Sequence, residues 1–298
     1  MAPPEVLKLA KLEKPKPKPN EILIKVKCTS VCAGDVRLRS SDFPILYWLP
    51  ARIVFGLFRP KKKTLGHEFS GIVEKVGKKV DAFKLGDEVF GTTTMLKEGS
   101  YAEYVCISQN WKHGVVAKKP LNLSHLESAA LPIGAMTALF LLKKANISSK
   151  QNILVYGASG SVGTYAVQLA SYYNAQVTGV CSGANIPMVK SLGAQYMIDY
   201  LKEDVALFPH KFDIIFDAVG KLKRSKVQKI LKRSGCFVSV KMMTKETDKH
   251  LNQIKKMAER KEIISVIDRV YQFDEMVKAH NYVDQGHKRG NVVIQVSH

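Results

Sequence analysis

The stretch VYGASGSVGTYAVQLA, residues 155–170, narrows what this chain can fold into more than any other. Gly157, Gly160 and Gly163 fall between an apolar run ending at Tyr156 and a run with helical spacing. Three physical needs call for glycine there: a tight turn, close approach of backbone to a pyrophosphate, and close helix–strand packing. The helix that follows would add oriented N–H groups and partial positive charge. A glycine-rich turn without a ligand is the bland reading. It fits less well, because strand-like and helix-like segments keep alternating: NILVYGA, AQVTGVC, QYMIDY, FDIIFDAVG and GCFVSVKMM read as five strands with helices between them. Apolar strands separated by helices imply a doubly wound parallel sheet covered on both faces.

The choice of dinucleotide is read at the end of the second of these strands. A cofactor without a 2′-phosphate usually meets an acid there, about 20 residues past the loop. GVCSGAN, residues 179–185, holds none. Ser182 could bond a 2′-phosphate and Lys190 offset its charge, which favours NADP(H) over NAD(H). An ordinary loop hydroxyl is the bland reading of Ser182.

The first third of the chain is patterned differently. EILIKVKCT (21–29) and SGIVEKVG (70–77) alternate with period two, and GDEVFG and YAEYVCI read as further short strands. There is no internal repeat, and only the Lys-Pro run 14–19 is of low complexity. Hydrophobic residues at 46% and charged residues at 24% describe a globular chain rather than a disordered one. Five cysteines without compact spacing, and an opening with no long apolar core, predict free thiols and a cytoplasmic location. The apolar run 43–58 is too short to span a bilayer and is interrupted by Pro50 and Arg52. It reads as a buried segment lining a substrate cleft, with a membrane-surface patch as the alternative, since RPKKK follows.

The formal charge of +20 favours anionic partners, phosphates and nucleic acid alike. KLKRSKVQKILKR, residues 221–233, is the densest basic stretch and contains no acid. Its Leu222, Val227, Ile230 and Leu231 predict an amphipathic helix with a solvated basic face.

In order along the chain, PPEVLKL, PKPNEILIKV, SVCAGDVRLRS, LGHEFSG, VEKVGKKVDAFKLGDEVFG, SYAEYV, AALPIGAMTAL, YGASGSVGTYAVQLA, FDIIFDAVG and GNVVI resemble the medium-chain dehydrogenase/reductase superfamily, within it the quinone oxidoreductase-like group. The resemblance implies a β-rich, chaperonin-10-like (GroES-like) catalytic domain from residues 1–120 and 265–298, around a Rossmann domain at 121–264, with NADP(H) in the cleft between them. It places Thr137 near the nicotinamide, Gly160, Ser161 and Val162 at the pyrophosphate, and Ser182 and Tyr200 beside the 2′-phosphate. Val219 and Gly220 would follow the ribose. Asn291 stands where a cofactor-binding lysine is common. Two departures matter. Family members usually carry a strand before PPEVLKL, and this sequence opens with Met1-Ala-Pro-Pro. After CFVSVKMM the chain goes straight to the polar helix candidate TKETDKHLNQIKKMAERKE, so the sixth strand, and with it the family's usual homodimer, is in doubt.

Zinc-dependent relatives carry a Cys in a CxxD context and a His in GHE. This chain has both, Cys32 and His67. The third ligand position, expected in LPIGAM, holds no donor, and the four-cysteine structural lobe is missing. A polyol-dehydrogenase-like arrangement of Cys32, His67 and Glu68 would make an open three-ligand site. The alternative is a metal-free hydrogen-bonded pair with Cys32 as a small buried residue. Candidate catalytic groups are Cys32, Asp35, Tyr47 and His67, with Arg39 nearby. Asp35 as a turn cap and Arg39 as a surface ion-pair partner are the bland readings. Three functions follow: an NADPH-dependent reductase of a quinone, enone or reactive carbonyl; a zinc-dependent alcohol or polyol dehydrogenase; and a nucleic-acid-binding protein on a dehydrogenase fold.

Overall fold

The structure, a computed structural model, describes residues 2–41, 64–96 and 98–297. Tyr47, the apolar run 43–58 and RPKKK lie outside the described residues. No helix among the described residues is long and apolar enough to cross a membrane.

The first sheet draws on both parts of the chain that flank the glycine-rich loop. Strands β1 (Glu21–Ser30), β2 (Glu68–Val76), β3 (Glu88–Thr92), β4 (Tyr104–Ser108) and β5 (Val116–Lys118) come from before it. Strands β11 (Ile267–Gln272) and β12 (Asn291–Gln295) return from the far end. The order is β11-β12-β1-β2-β3-β5, with β4 also on β1. One edge of β1 is shared: Glu21–Lys25 pair with β4, and Cys28–Ser30 with β12. Period-two alternation predicts one buried face for β1, but Ile22, Leu23 and Ile24 are all fully buried. The helices and returning chain cover its second face, so alternation understates the burial.

The second sheet is parallel and runs β10 (Leu231–Ser239), β9 (Phe212–Asp217), β6 (Asn152–Tyr156), β7 (Gln176–Cys181), β8 (Tyr196–Asp199). Successive side chains of a strand point to opposite faces, and both faces here are dry. Ile153, Val155, Ile214 and Phe216 enter one core with Leu139 of α3 (Pro132–Lys144) and Leu169 of α4 (Ser161–Tyr172). Leu154, Ile215 and Phe212 enter another, with Val180, Val227 and Ile230. Strand order reverses between β6 and β9. Open α/β sheets bind ligands in the crevice at such a point.

The basic helix predicted over 221–233 is corrected. Only Arg224–Val227 is helical, as α6, following α5 (Ile186–Ser191), and β10 has begun by Leu231. Leu231 pairs with Phe212 of β9, and Val227, Ile230 and Leu231 are spent on the underside of the sheet. Lys232 holds Asp213 at 2.8 Å. Pairing with an available strand edge overrides the helical spacing, so no long basic helix face exists here.

Candidate active site

The phosphate loop closes as its glycines require. Gly157 has a φ of +77°, and a Cβ there would overlap Cγ2 of Val219. A Cβ on Gly163 would overlap the carbonyl oxygen of Gly157 and stand 2.9 Å from Cα of Ala158. Gly160 is the N-cap of α4 and no side chain caps that end. The first-turn N–H groups at Ser161, Val162 and Gly163 therefore remain for an anion, at the positive end of the helix.

The C-terminal return stitches itself to this loop. Gly290 donates its N–H to Ser159 O at 2.8 Å, and Ser161 Oγ donates to Asn291 Oδ1 at 2.5 Å. The Asn291 amide also donates to Val266 O at 3.0 Å. Asn291 is thus a buried tie that fixes the loop. Two residues escaped the sequence reading. Asn185 Nδ2 bridges Ser159 Oγ at 3.2 Å and Ser182 Oγ at 3.1 Å. Asp217, closing β9, takes the N–H groups of Val219 and Gly220 at 3.1 and 2.8 Å and so shapes the next loop of the crevice. The only sequence signal for Asp217 was an acid ending an apolar strand. Thr137 is half-buried on α3, Tyr200 and Lys190 are exposed, and Ser182 is half-buried. Beyond the same sheet edge lies a cavity of about 320 Å³ lined by Tyr156, Tyr200, Lys202, Leu222 and Lys226.

The second group of polar side chains is built on α1 (Ala33–Ser40) and the start of β2. Cys32 is the N-cap of α1, and Asp35 turns back to accept the Cys32 N–H on Oδ2 at 3.0 Å. The other oxygen of Asp35 accepts the Gly66 N–H at 3.0 Å and His67 Nδ1 at 2.7 Å. Capping is real, but it is half of what Asp35 does. Burial opposes its ionisation, yet His67 and the Cys32 N–H outweigh that and hold its pKa down at about 2. Asp35 is therefore an ion that orients His67 and fixes the proton on Nδ1. Cys32 Sγ lies 3.9 Å from the same nitrogen. Burial, with Asp35 and Glu68 close by, pushes its thiol well up. A protonated thiol is a poor nucleophile.

Glu68 faces elsewhere. Its carboxylate accepts from Ser30 Oγ on one oxygen and from the Ile133 N–H, in the first turn of α3, at 2.8 Å on the other. One residue on, a Cβ on Gly134 would come within 2.8 Å of Ser161 Oγ. The first turn of α3 thus lies between the Glu68 carboxylate and the glycine-rich loop. Lys288, whose Nζ donates to Gly290 O at 2.6 Å, carries its charge towards Cys32 and Glu68. No motif announced it.

Burial raises Glu68 to about 7. An acid raised in the folded state contributes stability that is whole below its ordinary value and lost as pH climbs through 7. The loss amounts to about 3 kcal/mol at most. Glu68→Gln lets the amide oxygen still accept the Ile133 N–H and the amide NH2 donate to Ser30 Oγ, reversing that bond, without the charge. It is expected to gain about 1–3 kcal/mol at pH 8 and almost nothing at pH 4.5, read from urea midpoints. An equal change at both pH values would refute the assignment.

These contacts bring together a donor set other than Cys32, His67 and Glu68. The donors that converge, within 4.8 Å of one another, are Cys32, Asp35 and His67, without Glu68. Tetrahedral donors about 2.1 Å from zinc stand roughly 3.4 Å apart. Asp35 and His67, at 2.7 Å, have hydrogen-bond spacing instead, and Asp35 already serves two backbone N–H groups. The residues do not fit a zinc site as arranged. Arg39, read as a surface ion-pair partner, is buried and meets Asp284 at 2.5 Å and His280 Nδ1 at 3.0 Å.

Comparison with known proteins identifies the family. Residues 18–120 match the family described as alcohol dehydrogenase GroES-like domain, and residues 161–280 the family described as zinc-binding dehydrogenase. The chain is 32% identical over 310 residues to 2-methylene-furan-3-one reductase of Solanum lycopersicum, covering 97% of this chain and 76% of that protein. It is 28% identical to the chloroplastic NADPH-dependent alkenal/one oxidoreductase of Arabidopsis thaliana, with the same coverage. Among solved structures, the quinone oxidoreductase from Coxiella burnetii superposes with a TM-score of 0.87 at 29% identity, covering 99% of this chain and 96% of that one.

Proposed function

We propose that this chain, which belongs to the medium-chain dehydrogenase/reductase superfamily in its quinone oxidoreductase-like group, is an NADPH-dependent reductase of enones and quinones. The observation that carries the reading is a glycine-built loop open for an anion together with the Asp35–His67 pair, whose sequence neighbour Glu68 bonds the first turn of α3, the turn that packs on Ser161 of the loop. Bound NADPH supplies a hydride. The backbone at Gly160–Gly163 would hold the pyrophosphate, Val219 and Gly220 the ribose, and Thr137 the nicotinamide end. Ser182, Tyr200 and Lys190, with no acid at the end of β7, favour the 2′-phosphate.

The substrate's electron pair shifts onto its carbonyl oxygen as the hydride arrives, and one proton completes a two-electron reduction. His67 gives that proton from Nε2, since Nδ1 is committed to Asp35. Asp35 stabilises the imidazolium before transfer and holds the ring in place after it. Electron-poor enones and quinones need no Lewis acid for this, which suits a site whose donors have hydrogen-bond spacing.

The test is NADPH oxidation with an α,β-unsaturated ketone and a short-chain quinone, beside alcohol oxidation with NADP⁺ and a zinc assay on protein purified without added metal. Reduction with NADPH, at least tenfold slower reduction with NADH, and far less than one zinc per chain are expected. One zinc per chain, lost in Cys32→Ala and accompanied by alcohol oxidation, would replace this reading with the dehydrogenase one.

A further inference from the structure

The crevice at the end of β7 holds a side chain that the mechanism leaves unused, Asn185. It closes the 3₁₀ turn Gly183–Asn185 between β7 and α5, where its backbone N–H donates to Ser182 O at 2.9 Å. Its side-chain amide then reaches two hydroxyls that belong to different loops. Nδ2 lies 3.1 Å from Ser182 Oγ and 3.2 Å from Ser159 Oγ of the phosphate loop. Backbone bonds pin the same two loops together, since Gly157 and Ala158 both donate their N–H groups to Val180 O at 3.0 Å. Ser159, Ser182 and Asn185 are half-buried. Asn185 Oδ1 is buried and has no hydrogen-bond partner among the described residues.

That orphaned oxygen fixes how the amide is turned. Were it reversed, Oδ1 would accept from both serines, and the NH2 group would be buried with two hydrogens unpaired. Buried N–H groups without partners are rarer than under-satisfied carbonyl oxygens, so the orientation with one orphaned acceptor wins. An amide NH2 only donates. Each serine oxygen therefore accepts from Asn185 and keeps its own proton for another partner. Among the described residues neither hydroxyl makes a further hydrogen bond. Asp199 is the nearest acid by register, paired with Cys181 across β7 and β8. Its Oδ1 accepts the Leu201 N–H at 3.1 Å, and its Oδ2 lies against Gly183, 2.7 Å from where a Cβ would stand. Neither oxygen takes the Ser182 proton. One amide thus holds two hydroxyls whose protons have no acceptor within the described chain.

We propose that Asn185 is a positioning residue for cofactor choice. It turns the Ser182 and Ser159 hydroxyls outward as donors, the first to an adenosine 2′-phosphate and the second to the pyrophosphate. The two serines carry different information. Only NADPH has the 2′-phosphate, so Ser182 separates the two dinucleotides, whereas both contain the pyrophosphate that Ser159 meets. Asn185 therefore acts on selectivity through Ser182 and on affinity alone through Ser159. Bonds to a charged acceptor are the stronger kind, which is why the direction of these protons matters. The placing of the 2′-phosphate at Ser182 rests on the NADPH reading given above.

The experiment is calorimetric binding of adenosine 2′,5′-bisphosphate and of 5′-AMP, which differ only in the 2′-phosphate. The unmutated protein is expected to hold the bisphosphate at least about tenfold more tightly. Ser182→Ala should remove about that factor from the bisphosphate and leave 5′-AMP within about twofold. Asn185→Ala should weaken the bisphosphate about tenfold and 5′-AMP about threefold. In the Ser182→Ala background the same change should weaken both ligands alike, because only the Ser159 route is left. Asn185→Asp keeps the shape but only accepts, so it should draw both hydroxyls inward and abolish the preference. Equal weakening of the two ligands by Asn185→Ala, or a preference kept in Asn185→Asp, would overturn the role of Asn185 and leave the NADPH reading standing. A bisphosphate held no tighter than 5′-AMP by the unmutated protein would end both. If no enone or quinone is reduced, the function proposed above fails while these two ligands still decide Asn185.

Discussion

His67→Gln is expected to lower kcat for enone reduction by about 10²- to 10⁴-fold, the range for loss of a positioned general acid. NADPH affinity should stay within about twofold, because the phosphate loop is untouched. Glutamine can still donate an N–H to Asp35, so the fold and the cap of α1 survive, but it carries no exchangeable proton at a useful pKa. The separation of kcat from cofactor binding is what makes the result specific. Stopped-flow absorbance at the NADPH band gives the first quantity and fluorescence titration the second. If kcat stays within threefold of the original, His67 is not the proton source, and water or another group near Cys32 takes that role.

The second large effect is at Gly163. Gly163→Val would drive a branched side chain into the Gly157 carbonyl and the Ala158 backbone, and neither can move without opening the loop. Overpacking of this kind costs about 1–3 kcal/mol. If the loop yields instead of the core, the same energy appears as about a 10- to 100-fold loss of NADPH affinity. Gly160→Ala is the control: its Cβ would meet only Gly157 O at 3.6 Å. Its thermal midpoint should match the unmutated protein, whereas Gly163→Val should melt several degrees lower. Equal midpoints in both variants would show that Gly163 is not the packing glycine of the loop.

These effects differ in how far the sequence foretold them. Gly163 was legible because the requirement is local: strand, turn and helix must close within a few residues, and only glycine lets them. The same holds for Cys32 and His67, which lay in recognisable local settings. Their partner was not legible. Glu68 stands next to His67 in sequence and is grouped with it by resemblance to polyol dehydrogenases, but His67 lies in the bend before β2 and Glu68 is the first residue of that strand. Glu68 therefore turns to Ser30 and the end of α3. Asp35 reaches the imidazole because α1 begins at Cys32 and brings its third residue back over the helix end.

The segment 221–233 makes the complementary point. Its spacing fits a helix face, and in isolation nothing contradicts that. A partner strand settles the matter, since Leu231 gains backbone bonds and burial on β9 that a solvated helix could not supply. Ser159 and Asn185 lie 26 residues apart on different loops, and no periodicity links them.

The sequence by itself determined the parallel sheet, the phosphate loop and the neighbourhood of Cys32 and His67, because steric closure and hydrophobic period act over a few residues. Only the tertiary structure decided which carboxylate orients His67, which amide joins the phosphate loop to the end of β7, and whether the basic stretch becomes helix or strand. Those outcomes depend on which strand edges and helix ends meet, and packing between distant parts of the chain sets that.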